Sequence, residues 1–137
     1  MENNKAYTDL KQSKKLAEIL PIESADMEYI LEQWRDEETH RLKKGYSEYP
    51  VVKVDDDCPL QMITLPCWSL AALIEQLDET ITTEDGDYEL RIYVENGGYY
   101  VEYSESYDGR ILVESGFQER LIDAVYNVII NLNELEY

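Results

Sequence analysis

The residues equipped for covalent or metal chemistry are few. His40 is the single histidine among 137 residues, and Cys58 and Cys67 are the two cysteines. A structural zinc site needs four nitrogen or sulfur ligands at recognisable spacings, and three such residues fall short, so the expectation is no metal and no cofactor. A thiol nucleophile needs a base held against it, and no flanking motif accompanies either cysteine. Cys67, immediately before Trp68, reads instead as a small buried hydrophobe. Asp55-Asp56-Asp57 and Glu84-Asp85-Gly86-Asp87 could offer oxygens to a hard cation. A calcium loop alternates its ligands and closes on a distal bidentate Glu; neither run does, and both read as acidic turns in water. Asn96-Gly97-Gly98 falls between two strand patterns rather than between strand and helix, which excludes a phosphate cradle. Trp34 and Trp68, with His40, could line a ligand pocket, but indoles more often anchor a small core. The expectation is a chain that is not an enzyme.

Charge is the stronger signal. Thirty Asp and Glu oppose twelve Lys and Arg, a formal net charge of −18. Residues 1–53 hold nine basic and eleven acidic residues, whereas residues 54–137 hold three basic residues (Arg91, Arg110, Arg120) and nineteen acids. Such a field repels nucleic acid, anionic lipid and like molecules, and attracts basic partners. With 44% hydrophobic and 11% aromatic residues the acidity does not imply disorder. One domain with a real core is expected at this length. No apolar run approaches the roughly 20 residues of a membrane span, and the opening residues lack a secretory stretch. Two cysteines form no disulfide framework and suit a reducing cytoplasm.

The elements that must position any site follow from periodicity. A first helix is predicted over 9–20, capped by Thr8, with Leu10, Leu16, Ala17 and Leu20 on one side and Pro21 ending it. Tyr29, Ile30, Leu31 and Trp34 form an apolar knot that could be strand or helical turn. Residues 35–49 read as an exposed loop or frayed helix, and Val51, Val52 and Val54 as a brief edge strand. Ser69 caps a second helix whose Leu70, Leu73, Ile74 and Leu77 repeat at helical spacing, with Trp68 set to staple onto Leu73. Tyr88, Leu90, Ile92 and Val94 then alternate with Glu89, Arg91, Tyr93 and Glu95. Asn96-Gly97 closes a hairpin that sets Val94 against Tyr99, Ile92 against Val101, Leu90 against Tyr103, Tyr93 against Tyr100 and Arg91 against Glu102. Tyr107-Asp108-Gly109 turns into a third strand near 110–115. A last helix starts near Phe117–Glu119 and carries Leu121, Val125, Val128, Leu132 and Leu135 as one stripe, widened by Ile122, Ala124, Tyr126 and Ile129, with Ile130 beyond it. The expected fold is α+β: a three-stranded antiparallel meander with helices on one face, in the order α-α-β-β-β-α.

Two resemblances accompany these patterns. Gln12-Ser13-Lys14-Lys15-Leu16, Ser24-Ala25-Asp26-Met27, Pro66-Cys67-Trp68-Ser69-Leu70-Ala71-Ala72-Leu73 and Ile122-Asp123-Ala124-Val125-Tyr126, in that order, resemble a family of small uncharacterised proteins from gut bacteria and their phages. That likeness implies a fold and a phage or mobile-element setting, without functional residues to carry over. Residues 88–133, with Gly98-Tyr99-Tyr100-Val101, are similar in topology to the βββα portion of HicB-like antitoxins; the Gly-Cys of that family's third strand and its DNA-binding tail are absent.

Two surfaces could carry function. Glu89, Tyr93, Glu95, Tyr100, Glu102 and Glu114, joined by Glu105, would lie on the sheet face away from the helices, and six of twelve tyrosines fall between 88 and 107. Tyrosine offers rigid contact area with a hydroxyl, which points to a basic protein partner. A solvated outer face, with tyrosines serving strand propensity, would show the same pattern. The over-apolar last helix, through Tyr126 and Ile130, points instead to a homodimer. No direct nucleic-acid or membrane contact is expected; Lys11, Lys14, Lys15, Arg41, Lys43 and Lys44 read as an ordinary solvated set.

Overall fold

The computed structural model describes residues 5–53 and 63–135. Val54, Asp55-Asp56-Asp57 and Cys58 lie outside the described residues. Three α-helices and eight β-strands in two antiparallel sheets make the described chain α+β. It divides into two compact units, residues 9–69 and residues 1–8 with 70–137.

In the 9–69 unit, α1 (Leu10–Ala17) opens on Asp9 rather than Thr8. The Asp9 carboxylate accepts the Gln12 N–H at 2.8 Å, and the Gln12 side-chain oxygen accepts the Asp9 N–H at 3.1 Å. The reason is the third residue on. From Asp9 that position is Gln12, which can accept in return; from Thr8 it is Lys11, which cannot. Thr8 is fully buried instead. The helix ends at Ala17, short of the expected residue 20, and a 3-10 turn (Ile22–Ser24) follows Pro21.

The apolar knot resolves as strand. β1 (Met27–Arg35) pairs antiparallel with β2 (Leu42–Tyr46), β3 (Val51–Val52) and β4 (Thr64–Cys67). The expected exposed loop over 35–49 therefore contains a strand and its turn. Asp36 makes that turn: its carboxylate accepts the N–H groups of Glu38 (2.8 Å) and Thr39 (3.0 Å) and pairs with Lys43 at 2.8 Å. The Lys43 ammonium, then the two amides, hold the Asp36 carboxyl down at about 2. His40 takes the left-handed position, φ 58°. Trp34 lies across Gly45, where an added Cβ would stand 3.3 Å from the indole. Leu16, Ala25, Tyr29, Leu65, Cys67 and Trp68 are buried here. The Trp68 indole donates to Ser24 Oγ at 2.9 Å, and the Asp26 carboxylate accepts both the N–H (2.8 Å) and the hydroxyl (2.5 Å) of Ser69.

In the second unit α2 (Leu70–Ile74) is followed by β5 (Thr80–Thr83), β6 (Gly86–Glu95), β7 (Gly98–Ser104), β8 (Ile111–Glu114) and α3 (Leu121–Glu134). The four strands pair antiparallel in chain order. The expected meander thus gains a leading strand, the β-branched run Thr80-Ile81-Thr82-Thr83, whose turn to β6 is the acidic Glu84-Asp85 pair. The β6–β7 register is the one the sequence dictates, from Leu90–Tyr103 to Glu95–Gly98. Asn96 and Gly97 both take positive φ, 55° and 77°, as the matching two-residue turn requires.

α3 packs on β7, β8 and α2; its Ile122, Ala124, Val125, Val128 and Ile129 are buried, as are Val101, Tyr103 and Val113 on the sheet. The buried stripe is rotated from the expected one: Leu121, Tyr126, Ile130 and Leu132 are half-buried and Leu135 is exposed. The helix begins at Leu121 and not at Phe117–Glu119, because the Gln118 backbone is already committed to a bridge with Tyr99 (Tyr99 N–H to Gln118 O 2.7 Å, Gln118 N–H to Tyr99 O 3.1 Å). Tyr103 is fully buried and donates its hydroxyl to the Asp78 carbonyl at 2.6 Å. Burial, reinforced by the nearby Asp78 carboxylate, pushes that hydroxyl up to about 12. No helix among the described residues is long and apolar enough to cross a membrane.

Candidate interaction surface

Side chains alternate across β6 and β7, so the face turned from α3 receives Glu89, Arg91, Tyr93 and Glu95 from one strand and Tyr100 and Glu102 from the other. Glu114 joins them from β8, directly opposite Glu102. The Tyr93 and Tyr100 rings stack with centroids 5.1 Å apart and planes within 6°. Tyr100 then meets Phe117 edge-on at 5.9 Å. Three rings thus form one continuous row, with Tyr93 39% and Phe117 45% exposed. Gly98 makes this row possible. A Cβ there would lie 2.8 Å from the Gln118 carbonyl oxygen and closer still to the Phe117 ring.

The charges around the row are unevenly matched. Arg91 stands opposite Glu102 in register, yet its guanidinium turns to Ser104 Oγ (2.8 Å), Ser106 Oγ (3.3 Å) and Glu89 (3.7 Å). Glu102 takes up the Tyr93 hydroxyl instead. That hydrogen bond, with burial and the neighbouring Glu95 charge, raises the Tyr93 phenol to about 12. Glu105 is neutralised by Arg110 at 2.6 Å. Among the described residues Glu95, Glu102 and Glu114 have no cationic side chain within ion-pair reach, and Glu102 and Glu114 face each other as like charges, an arrangement that costs stability.

The structure therefore brings together all six residues expected on this face and adds Phe117. Sequence reasoning placed Phe117 at a helix start. The cue was indirect: Gly98, flanking a two-residue turn with no need for positive φ, marks a place where something must lie close.

Other candidates separate. Cys67 is fully buried opposite Met27 at one end of β1, while His40 sits in the exposed turn beyond Arg35. Eight residue steps of strand, roughly 26 Å, separate those ends. Trp68 is in the core and Trp34 on the outer hairpin, so the two indoles and His40 do not converge. No three His, Cys, Asp or Glu side chains gather as a metal site among the described residues. A groove of about 440 Å³ runs between β8 and α3, past Ile111, Glu114 and Asn131. A second hollow of about 290 Å³ lies among Gln76, Asp78, Ile81, Tyr103 and Leu132. Tyr126 and Ile130 sit on α3, both half-buried. Comparisons of the chain with protein-family models, with curated proteins and with solved structures find no match.

Proposed function

We propose that the chain is a non-enzymatic, acidic protein-binding module of the cytoplasm, in a phage or mobile-element setting, and that its partner is a basic protein. The observation that carries this reading is the Tyr93–Tyr100–Phe117 row bordered by Glu95, Glu102 and Glu114, three carboxylates without a cation of their own among the described residues. Rings of this kind supply contact area at low entropic cost. Unneutralised carboxylates beside them supply attraction and orientation for Lys and Arg.

Binding of a basic partner should weaken as ionic strength rises from 0.01 M to 0.3 M, because the attraction is screened over a shorter Debye length. Glu102→Lys or Glu95→Lys should lower the association rate and flatten that salt dependence. Salt-independent binding, or charge reversals without effect, would rule the reading out.

Self-association through Tyr126 and Ile130 is the second reading, supported by their partial exposure on α3. Light scattering at micromolar concentration would then report a dimer that Ile130→Glu dissolves; a strict monomer ends it.

A further inference from the structure

β6 is longer than the strand beside it. Thr80–Thr83 of β5 pair with Gly86–Glu89, and one more bond joins the Leu90 N–H to the Glu79 carbonyl at 2.9 Å. From Arg91 to Glu95 the strand has β7 on one side and no strand among the described residues on the other.

Register parity identifies the groups left bare. A two-residue turn makes Glu95 and Gly98 a hydrogen-bonded pair, so Tyr93 and Arg91 also direct their backbone at β7, while Val94, Ile92 and Leu90 direct theirs away. The Leu90–Glu79 bond has this parity. So do the residues across the ladder: Tyr99, opposite Val94, bonds outward to Gln118, and the Val101 carbonyl, opposite Ile92, accepts the Ser115 N–H at 2.8 Å. The N–H and C=O groups of Ile92 and Val94 therefore form a short open ladder of two donors and two acceptors.

The side chains at these two positions are bare as well. Ile92 is 42% and Val94 69% exposed, although both belong by alternation to the face that α3 covers at Val101 and Tyr103. Open backbone flanked by exposed β-branched residues templates strand addition.

Charge selects the occupant. The other face of the same stretch presents Tyr93 and Glu95, with Glu102 one strand further in and Arg91 already engaged by Ser104, Ser106 and Glu89. A second copy of this chain would bring another −18. We propose that the open edge of β6 takes up an extended segment of the partner as an added antiparallel strand, its apolar residues on Ile92 and Val94 and its alternating Lys or Arg on Glu95 and the tyrosine row. This inference rests on the basic-partner reading and specifies its binding mode.

Parity also supplies the test. Apolar residues of the added strand share the face of Ile92 and Val94, so it is their N–H groups that bond to β6; the N–H groups of the basic residues point outward. Three capped eight-residue peptides of alternating lysine and valine serve as probes for the full chain: unmodified, N-methylated at the valines, and N-methylated at the lysines. The unmodified and lysine-methylated peptides should bind alike and slow hydrogen exchange at the Ile92 and Val94 amides at least tenfold. The valine-methylated peptide should bind at least tenfold more weakly. Val94→Pro, which removes an outward N–H and no bond to β7, should reproduce that loss with the unmodified peptide. Equal binding of all three peptides, still weakened by Glu95→Lys, would overturn strand addition while leaving the basic-partner reading intact. No binding of any peptide at low salt would overturn both.

Discussion

Trp68→Ala should remove about 3–5 kcal/mol of stability, the range for emptying a fully buried large aromatic site. The indole is enclosed on all sides and its N–H is spent on Ser24 Oγ, so alanine leaves both a cavity and an unmet partner. Against a typical total of about 5–15 kcal/mol, that loss is large enough to leave a visible unfolded population. Trp34→Ala is the internal control: Trp34 is 48% exposed and covers Gly45 at the surface of the β1–β2 hairpin, so its truncation should cost under about 1 kcal/mol. Urea denaturation of the two variants separates them, and comparable midpoints would refute the anchoring role of Trp68.

Gly98→Ala should cost about 1–3 kcal/mol through overpacking. The added methyl has two obstacles of different kinds. The Phe117 ring can move aside, but the Gln118 carbonyl oxygen, 2.8 Å away, is held by its bridge to Tyr99. Phe117→Ala combined with Gly98→Ala should therefore recover only part of the loss, and the shortfall in the double-mutant cycle measures the backbone's share. If Gly98→Ala melts within a degree of the parent protein, the close approach of Phe117 to this strand is wrong. Because Phe117 ends the ring row, the same substitution should also weaken binding of a basic partner.

Legibility in the sequence followed from how many signals coincided. In β6 and β7 alternation, turn chemistry and cross-strand pairing all have period two, and every predicted pair is observed. β1 stayed open between strand and helical turn, and β2 escaped, because Glu32, Gln33, Trp34 and Arg35 are all exposed, so one half of the usual contrast between faces is missing. β4 was hidden by Pro66, which is tolerated because among the described residues that strand pairs on one side alone, with β1. β5 was masked by the acids that follow it, which read as a turn without the strand they close. The interaction face was legible in its carboxylates and tyrosines, since they sit on the legible hairpin. Its third ring was not, because the approach of Phe117 to Gly98 crosses nineteen positions and rests on backbone geometry rather than on pattern.

Chain order has a consequence for synthesis. The 9–69 unit interrupts the other: the Ala6 carbonyl accepts the Leu70 N–H at 2.9 Å, and Lys5 pairs with Asp123 at 3.0 Å across 118 positions. At ribosomal speeds of about 5–20 residues per second, Lys5 waits roughly 6–24 s for its partner to be made. The interrupting unit has all its described strands by residue 69, whereas the Lys5–Asp123 pair must wait until α3 emerges. The first described residues of this chain are thus among the last to find their place.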